Sequence, residues 1–193
     1  MKSTNNLTDE QAIQQFLKGE TKAFEALIEK HKSKIFTSIY LLVKDKYLAE
    51  DIFQDLFIKI IETLRAGNYK EENKFLQWAM RIAHNLCIDH FRKAKTGPSI
   101  RTSDDSDIFE VLDFKELNAE QTIMKSQSEN IVMKMVDMLP EEQREVIILR
   151  HFADMKFKEI AAILHCSVNT ALGRMRYGLL NMRRILVEKE LAL

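Results

Sequence analysis

The sequence predicts an all-α protein built as two small helical domains joined by a flexible acidic linker. Three observations lead there. Helix breakers are scarce, with five Gly and two Pro in 193 residues, while Leu, Ile, Lys, Glu, Gln and Met fill long stretches. Apolar side chains recur at helical spacing, the mark of a helix with one buried face. The third observation is the charge distribution. Basic and acidic side chains balance at 29 each, yet residues 1–95 carry net +3, residues 96–130 net −5 and residues 131–193 net +2.

Four helices are expected before the linker. The first runs from about Thr8 to Lys18, where Thr8 and Gln11 fit a capping box and Gly19 ends it. The second spans about Thr21–Val43, with Phe24, Leu27, Ile28, Ile35, Ile39 and Leu42 on its apolar side. The third covers about Tyr47–Arg65 and stops near Gly67-Asn68. The fourth covers about Lys74–Lys95, where Gly97-Pro98-Ser99 halts it. These helices form a domain over 1–95, and Ser, Thr and Asp dominate the linker, 96–118. The second domain, 119–193, holds helices at about Ala119–Met138, Glu141–His151 with Pro140 at its start, Lys156–Leu164, and a last one capped by Ser167.

The last two helices have the layout of a helix-turn-helix, whose second helix enters the DNA major groove. Ala161 is small enough for a close crossing, and His165 stands where a left-handed turn residue is usually Gly. From His165 to Leu186 there are four arginines and no Asp or Glu. Val168, Leu172, Met175, Leu179, Met182 and Leu186, with Ala171 beside them, form one apolar stripe. Asn169, Thr170, Gly173, Arg174, Arg176, Tyr177, Asn181 and Arg184 fill the remaining arc, with cations for phosphates and amide, hydroxyl and guanidinium groups for base edges. A merely solvated face would not explain the missing acids, the turn and the Ser cap together.

In the first domain, Ala49–Leu64 places Asp51, Gln54, Asp55 and Ile58 along one helical side, with Phe53, Phe57, Ile60 and Ile61 largely as packing. Acids mixed with exposed apolar groups suit a docking surface for a basic partner helix. Lys74–Lys95 sets Phe75 and Trp78 near one end and Asn85, Asp89, Arg92, Lys93 and Lys95 toward the other. Aromatics beside a basic helix suit unstacked bases, although helical spacing also puts Phe75, Trp78, Ile82 and Leu86 in a core.

Other classes find little support. There is no phosphate-cradling glycine loop, nucleophile–base pair or metal triad, so no catalytic residue, cofactor or small-molecule substrate is expected. His84, Cys87 and His90 share one helix, but the first and last diverge and lack a fourth ligand, so no metal is expected. Two cysteines, Cys87 and Cys166, are too few for a disulfide framework. No apolar run reaches the roughly 20 residues of a membrane span, so the chain is read as cytoplasmic and not itself membrane-embedded. A DNA-binding regulator acting alone, as a dimer, is the competing reading.

The motifs "AEDIFQDLF", "FLQWAMRIAHNLCIDHFRK" and "LPEEQREVIILRHFADMKFKEIAAILHCSVNTALGRMR", in this order, resemble bacterial RNA polymerase sigma factors of the sigma-70 family, in the extracytoplasmic function (ECF) group. The resemblance implies that 1–95 is sigma region 2 and 119–193 is sigma region 4. It further implies that Asp51, Gln54, Asp55, Phe57 and Ile58 bind core RNA polymerase at the clamp helices of its largest subunit. Asn68, Tyr69, Lys74, Phe75, Trp78, Asn85, Asp89, Arg92 and Lys93 would serve minus-10 capture and melting. Ser167, Asn169, Thr170, Arg174, Arg176 and Tyr177 would read the minus-35 element. Core polymerase, including its flap, promoter DNA and an anti-sigma factor are the implied partners. The family's turn glycine is His165 here, its common Val-Lys is Ala171-Leu172, and a common serine is Gly173.

Overall fold

The computed structural model describes residues 7–70, 74–96 and 131–188. The chain divides into two compact units between Ser103 and Asp104. Unit 1 holds α1 (Asp9–Leu17), α2 (Thr21–Val43), α3 (Lys46–Arg65) and α4 (Phe75–Thr96). Unit 2 holds helical residues 131–137 (α5), α6 (Glu141–Ile147), a π-helical turn at Ile148–Phe152, α7 (Phe157–Ile163) and α8 (Val168–Glu188).

Local chemistry sets most boundaries of unit 1. The Thr8 hydroxyl accepts from the Gln11 N–H at 3.2 Å while the Gln11 amide oxygen accepts from the Thr8 N–H at 3.1 Å. This is the reciprocal cap the sequence predicts. Gly19, with φ 102°, ends α1. Lys44, with φ 58°, ends α2, and the Asp45 carboxylate caps α3 by accepting from Leu48 N–H at 2.9 Å. The core interlocks Leu27, Ile35 and Ile39 of α2 with Leu56, Ile60 and Leu64 of α3 and Phe75 and Met80 of α4, all fully buried.

Helix α1 is fastened to α2 at both ends. Phe16 stacks on Phe24 with ring centroids 4.5 Å apart. Asp9 accepts from Lys30 at 2.7 Å and pairs with His31 Nε2 at 2.9 Å. The His31 hydrogen bond, against the opposing effect of partial burial and with help from Lys30, holds the Asp9 carboxyl down at about 2.

In unit 2 the expected helix Glu141–His151 is α-helical only to Ile147. Beyond it the helix widens, with Ala153 N–H donating to Ile148 C=O at 3.3 Å. Val146, Ile147, Ile148 and Leu149 are all buried. Four consecutive buried residues require packing around most of the helix circumference, and a one-sided periodic pattern does not show where such a helix widens. Asp154, with φ 60°, then turns the chain toward α7. Of the helix expected at Ala119–Met138, only 131–138 falls among the described residues, helical to 137 and turning at Met138, and of the linker expected at 96–118 only Thr96, at the end of α4, does.

Candidate nucleic-acid and protein interfaces

The turn between α7 and α8 takes the geometry the sequence suggests. His165 is left-handed, with φ 48°, and Cys166 N–H donates to Ala161 C=O at 3.0 Å. These are marks of a helix stop normally made by glycine. Thr170 N–H then donates to Ser167 Oγ at 3.0 Å, and the two hydroxyls meet at 2.8 Å. The Ser167 and Thr170 hydroxyls are therefore engaged in starting α8. Asn169, Arg176 and Tyr177 are exposed.

The inward face of α8 differs from the expected apolar stripe. Its buried residues are Ala171 and Gly178, while Val168, Leu172 and Leu179 are 41–48% exposed. Helix α8 crosses α6 at small residues, because a Cβ at Gly178 would lie 2.8 Å from Ile147 Cδ1. The larger stripe is turned aside. Leu172, Met175, Leu179 and Leu186 instead line an open groove of about 550 Å³ with Met135 and Phe157, flanked by Arg176 and Arg183. Two residues of the expected polar arc face α6. Arg174 pairs with Glu142 at 2.8 Å, and the Asn181 amide donates to Gln143 at 2.7 Å. Sequence reasoning missed Glu142, Gln143 and Gly178. The signal available was Ala171 and Gly178, two small residues seven apart. Gly173, the glycine the sequence did single out, has open space where a Cβ would stand.

In unit 1, Asp51, Gln54, Asp55 and Ile58 are exposed on one side of α3. Phe57 is not with them. It is buried against Phe53, with rings 4.8 Å apart, and Phe24 at 6.3 Å. At the start of α4, Tyr69 and Trp78 are partly buried with ring centroids 4.5 Å apart. Phe75 is buried behind them, 6.0 Å from Trp78 and 5.6 Å from His31. Phe57 and Phe75 thus support these surfaces from beneath. Asn68, Lys74, Asn85, Arg92 and Lys93 are exposed, and Asp89 accepts from Arg92 at 2.8 Å.

His84 and Cys87 are buried, whereas His90 is exposed. Burial pushes the Cys87 thiol up to about 12, which disfavours the thiolate needed for ligation or attack. Among the described residues no helix is long and apolar enough to cross a membrane.

Comparison with known proteins agrees with this layout. Family models described as Sigma-70 region 2 and Sigma-70, region 4 match residues 27–96 and 129–174. The RNA polymerase sigma-H factor of Pseudomonas aeruginosa is 30% identical, over 86% of this chain and 87% of that protein. The ECF sigma-E factor of Escherichia coli is 29% identical, over 89% of this chain and 90% of that protein. Among solved structures, the sigma factor RpoE of Bartonella quintana, bound to the anti-sigma factor NepR, superposes with TM-score 0.65 at 19% identity, covering 86% of this chain and 97% of that one. CnrH, bound to the cytosolic domain of CnrY, gives 0.62 at 19%, covering 96% and 99%.

Proposed function

The chain belongs to the sigma-70 family of RNA polymerase sigma factors, within its extracytoplasmic function group, and from that premise we propose how its residues divide the work of promoter-specific transcription initiation. Sigma factors are initiation factors: they bind core polymerase and direct it to promoter DNA. The covalent chemistry is the polymerase's, and this chain contributes none.

In our reading, the exposed Asp51, Gln54, Asp55 and Ile58 grip the clamp helices of the largest polymerase subunit, with Phe57 holding that face rigid from inside. Arginine or lysine on the partner meets the carboxylates, and Ile58 adds an apolar contact. Asn68, Tyr69, Lys74 and Trp78 capture bases of the melted minus-10 element. Unstacking costs a few kcal/mol, offset by stacking on Tyr69 and Trp78 and by polar contacts. Asn85, Arg92 and Lys93 track the strand, with Asp89 orienting Arg92. Asn169, Arg176 and Tyr177 read the minus-35 duplex, while Ser167 and Thr170 set the start of α8. The groove on α8 receives an amphipathic helix from the polymerase flap. The acidic linker runs toward the polymerase active centre, and the protein works in the cytoplasm. An anti-sigma factor is the remaining partner, supported by the similar sigma factor RpoE of Bartonella quintana, whose structure is a complex with one.

The observation that carries the DNA assignment is the outward arc of α8: it is cationic, free of acids until Glu188 at its last residue, and presented by a capped helix behind a tight turn. The test is reconstituted transcription with core polymerase lacking other sigma factors and genomic DNA fragments of the source organism. Starts sharing two upstream elements and vanishing without the protein are expected. Absent starts together with absent core binding would sink the reading in favour of a stand-alone regulator.

A further inference from the structure

We propose that Arg174 is a positioning residue: it acts on promoter DNA through Glu142, by fixing the rotation of α8 about its own axis, and makes no DNA contact itself. The inference rests on the reading of α8 as the DNA-reading helix. Arg174 is the arginine the sequence makes most tempting as a base reader. The structure turns it the other way.

Its guanidinium meets the Glu142 carboxylate at 2.8 Å, and its side chain is only 21% exposed. Its Nε–H is buried and has no acceptor among the described residues. One turn further along α8, Gly178 sits so close to α6 that a Cβ would meet Ile147 at 2.8 Å and Gln143 at 3.5 Å. After one more turn, Asn181 donates to Gln143 at 2.7 Å. With the buried Ala171, positions 171, 174, 178 and 181 make one seam along the helix. Ala171 and Gly178 bury little apolar area, so packing at the seam resists sliding only weakly. The two polar pairs on either side of Gly178 supply the direction that packing lacks.

Helix geometry makes the choice exclusive. At about 100° per residue, Arg174 and Arg176 project about 200° apart, so they cannot enter one groove together. Arg176 is exposed and Arg174 is not. Rotation also matters quantitatively. A turn of about 20° in a helix of roughly 5–6 Å side-chain radius moves its tips by about 2 Å, more than a hydrogen bond to a base edge tolerates. Loss of the Arg174–Glu142 pair therefore weakens contacts made by Asn169, Arg176 and Tyr177 without removing a phosphate contact.

The experiment uses the holoenzyme on a promoter mapped by reconstituted transcription, with affinity measured across a range of salt. The variants are Arg174→Ala, Glu142→Ala, their double, and Arg176→Ala, each checked for native circular dichroism. Arg174→Ala and Glu142→Ala should each lower affinity by a similar factor, about 3- to 5-fold, and the double should be no worse than either single. None of the three should change the slope of log K against log salt. Arg176→Ala should lower affinity about tenfold and reduce the slope by about 1. The proposal is overturned if Arg174→Ala reduces the slope, if Glu142→Ala is neutral, if Arg174→Ala is neutral, or if the singles add in the double. If Arg176→Ala is also without effect, the reading of α8 itself falls, a result distinct from failure at Arg174 alone.

Discussion

Helix α2 buries twelve of its 23 residues, whereas α8 buries only Ala171 and Gly178 of its 21. Both are long, regular and amphipathic in sequence. Helix α2 is surrounded, with α1, α3 and α4 all packed against it. Helix α8 rests on α6 and α7 and leaves most of its circumference outward. A helix held along a narrow seam contributes little to its own domain's core. Its remaining faces are a cationic arc and an apolar groove, which we propose serve DNA and protein respectively.

The largest effect should separate the two helices by core cost. Ile39→Ala, at a fully buried site in α2, should destabilise unit 1 by about 3 kcal/mol. Leu179→Ala, at a site 48% exposed in α8, should change the stability of unit 2 by no more than about 0.5 kcal/mol. Hydrogen exchange followed separately in each unit measures both, and equal losses would erase the contrast.

The next effect probes the seam. Gly178→Leu must force a side chain into Ile147 and Gln143, and should cost about 2 kcal/mol through overpacking. Gly173→Ala meets open space and should stabilise α8 by up to about 1 kcal/mol through helix propensity. Denaturant melts of unit 2 should give opposite signs; a shared sign would mean that the α6–α8 crossing is looser than described.

The smallest effect lies at the edge of unit 1. The Asp9 carboxyl is held at about 2, below its ordinary 3.8. A depressed carboxyl stabilises the fold above its unfolded pKa, and that contribution fades as pH falls from about 4 toward 2. Because the site is partly solvated, screening reduces the contribution to about 1 kcal/mol. Asp9→Asn should therefore speed amide exchange in α1 at pH 6 and match the wild type near pH 2. A gap that persists unchanged in acid would point to packing instead of charge.

Much of this was legible in the sequence. The caps at Thr8 and Ser167, the stop at Gly19 and the left-handed residue at His165 depend on neighbours within a few positions, so the chain spells them out. The acidic face of α3 was legible as well, because exposed charges at helical spacing need no tertiary information. Phe57 and Phe75 were harder. An aromatic beside a polar face has the same spacing whether it lies on the surface or just beneath it, and only neighbours such as Phe24 and His31 place both inside.

The sequence by itself determined the all-helical class, the order of the helices, most of their ends and the collection of cations on the last one. Tertiary structure decided how α8 is turned. Periodicity defines an apolar stripe, but burial follows the closest approach of another helix. Here that approach occurs at Ala171 and Gly178, where the absence of large side chains admits α6. The apolar stripe was rotated outward into a groove, and Arg174 and Asn181 were rotated inward onto Glu142 and Gln143.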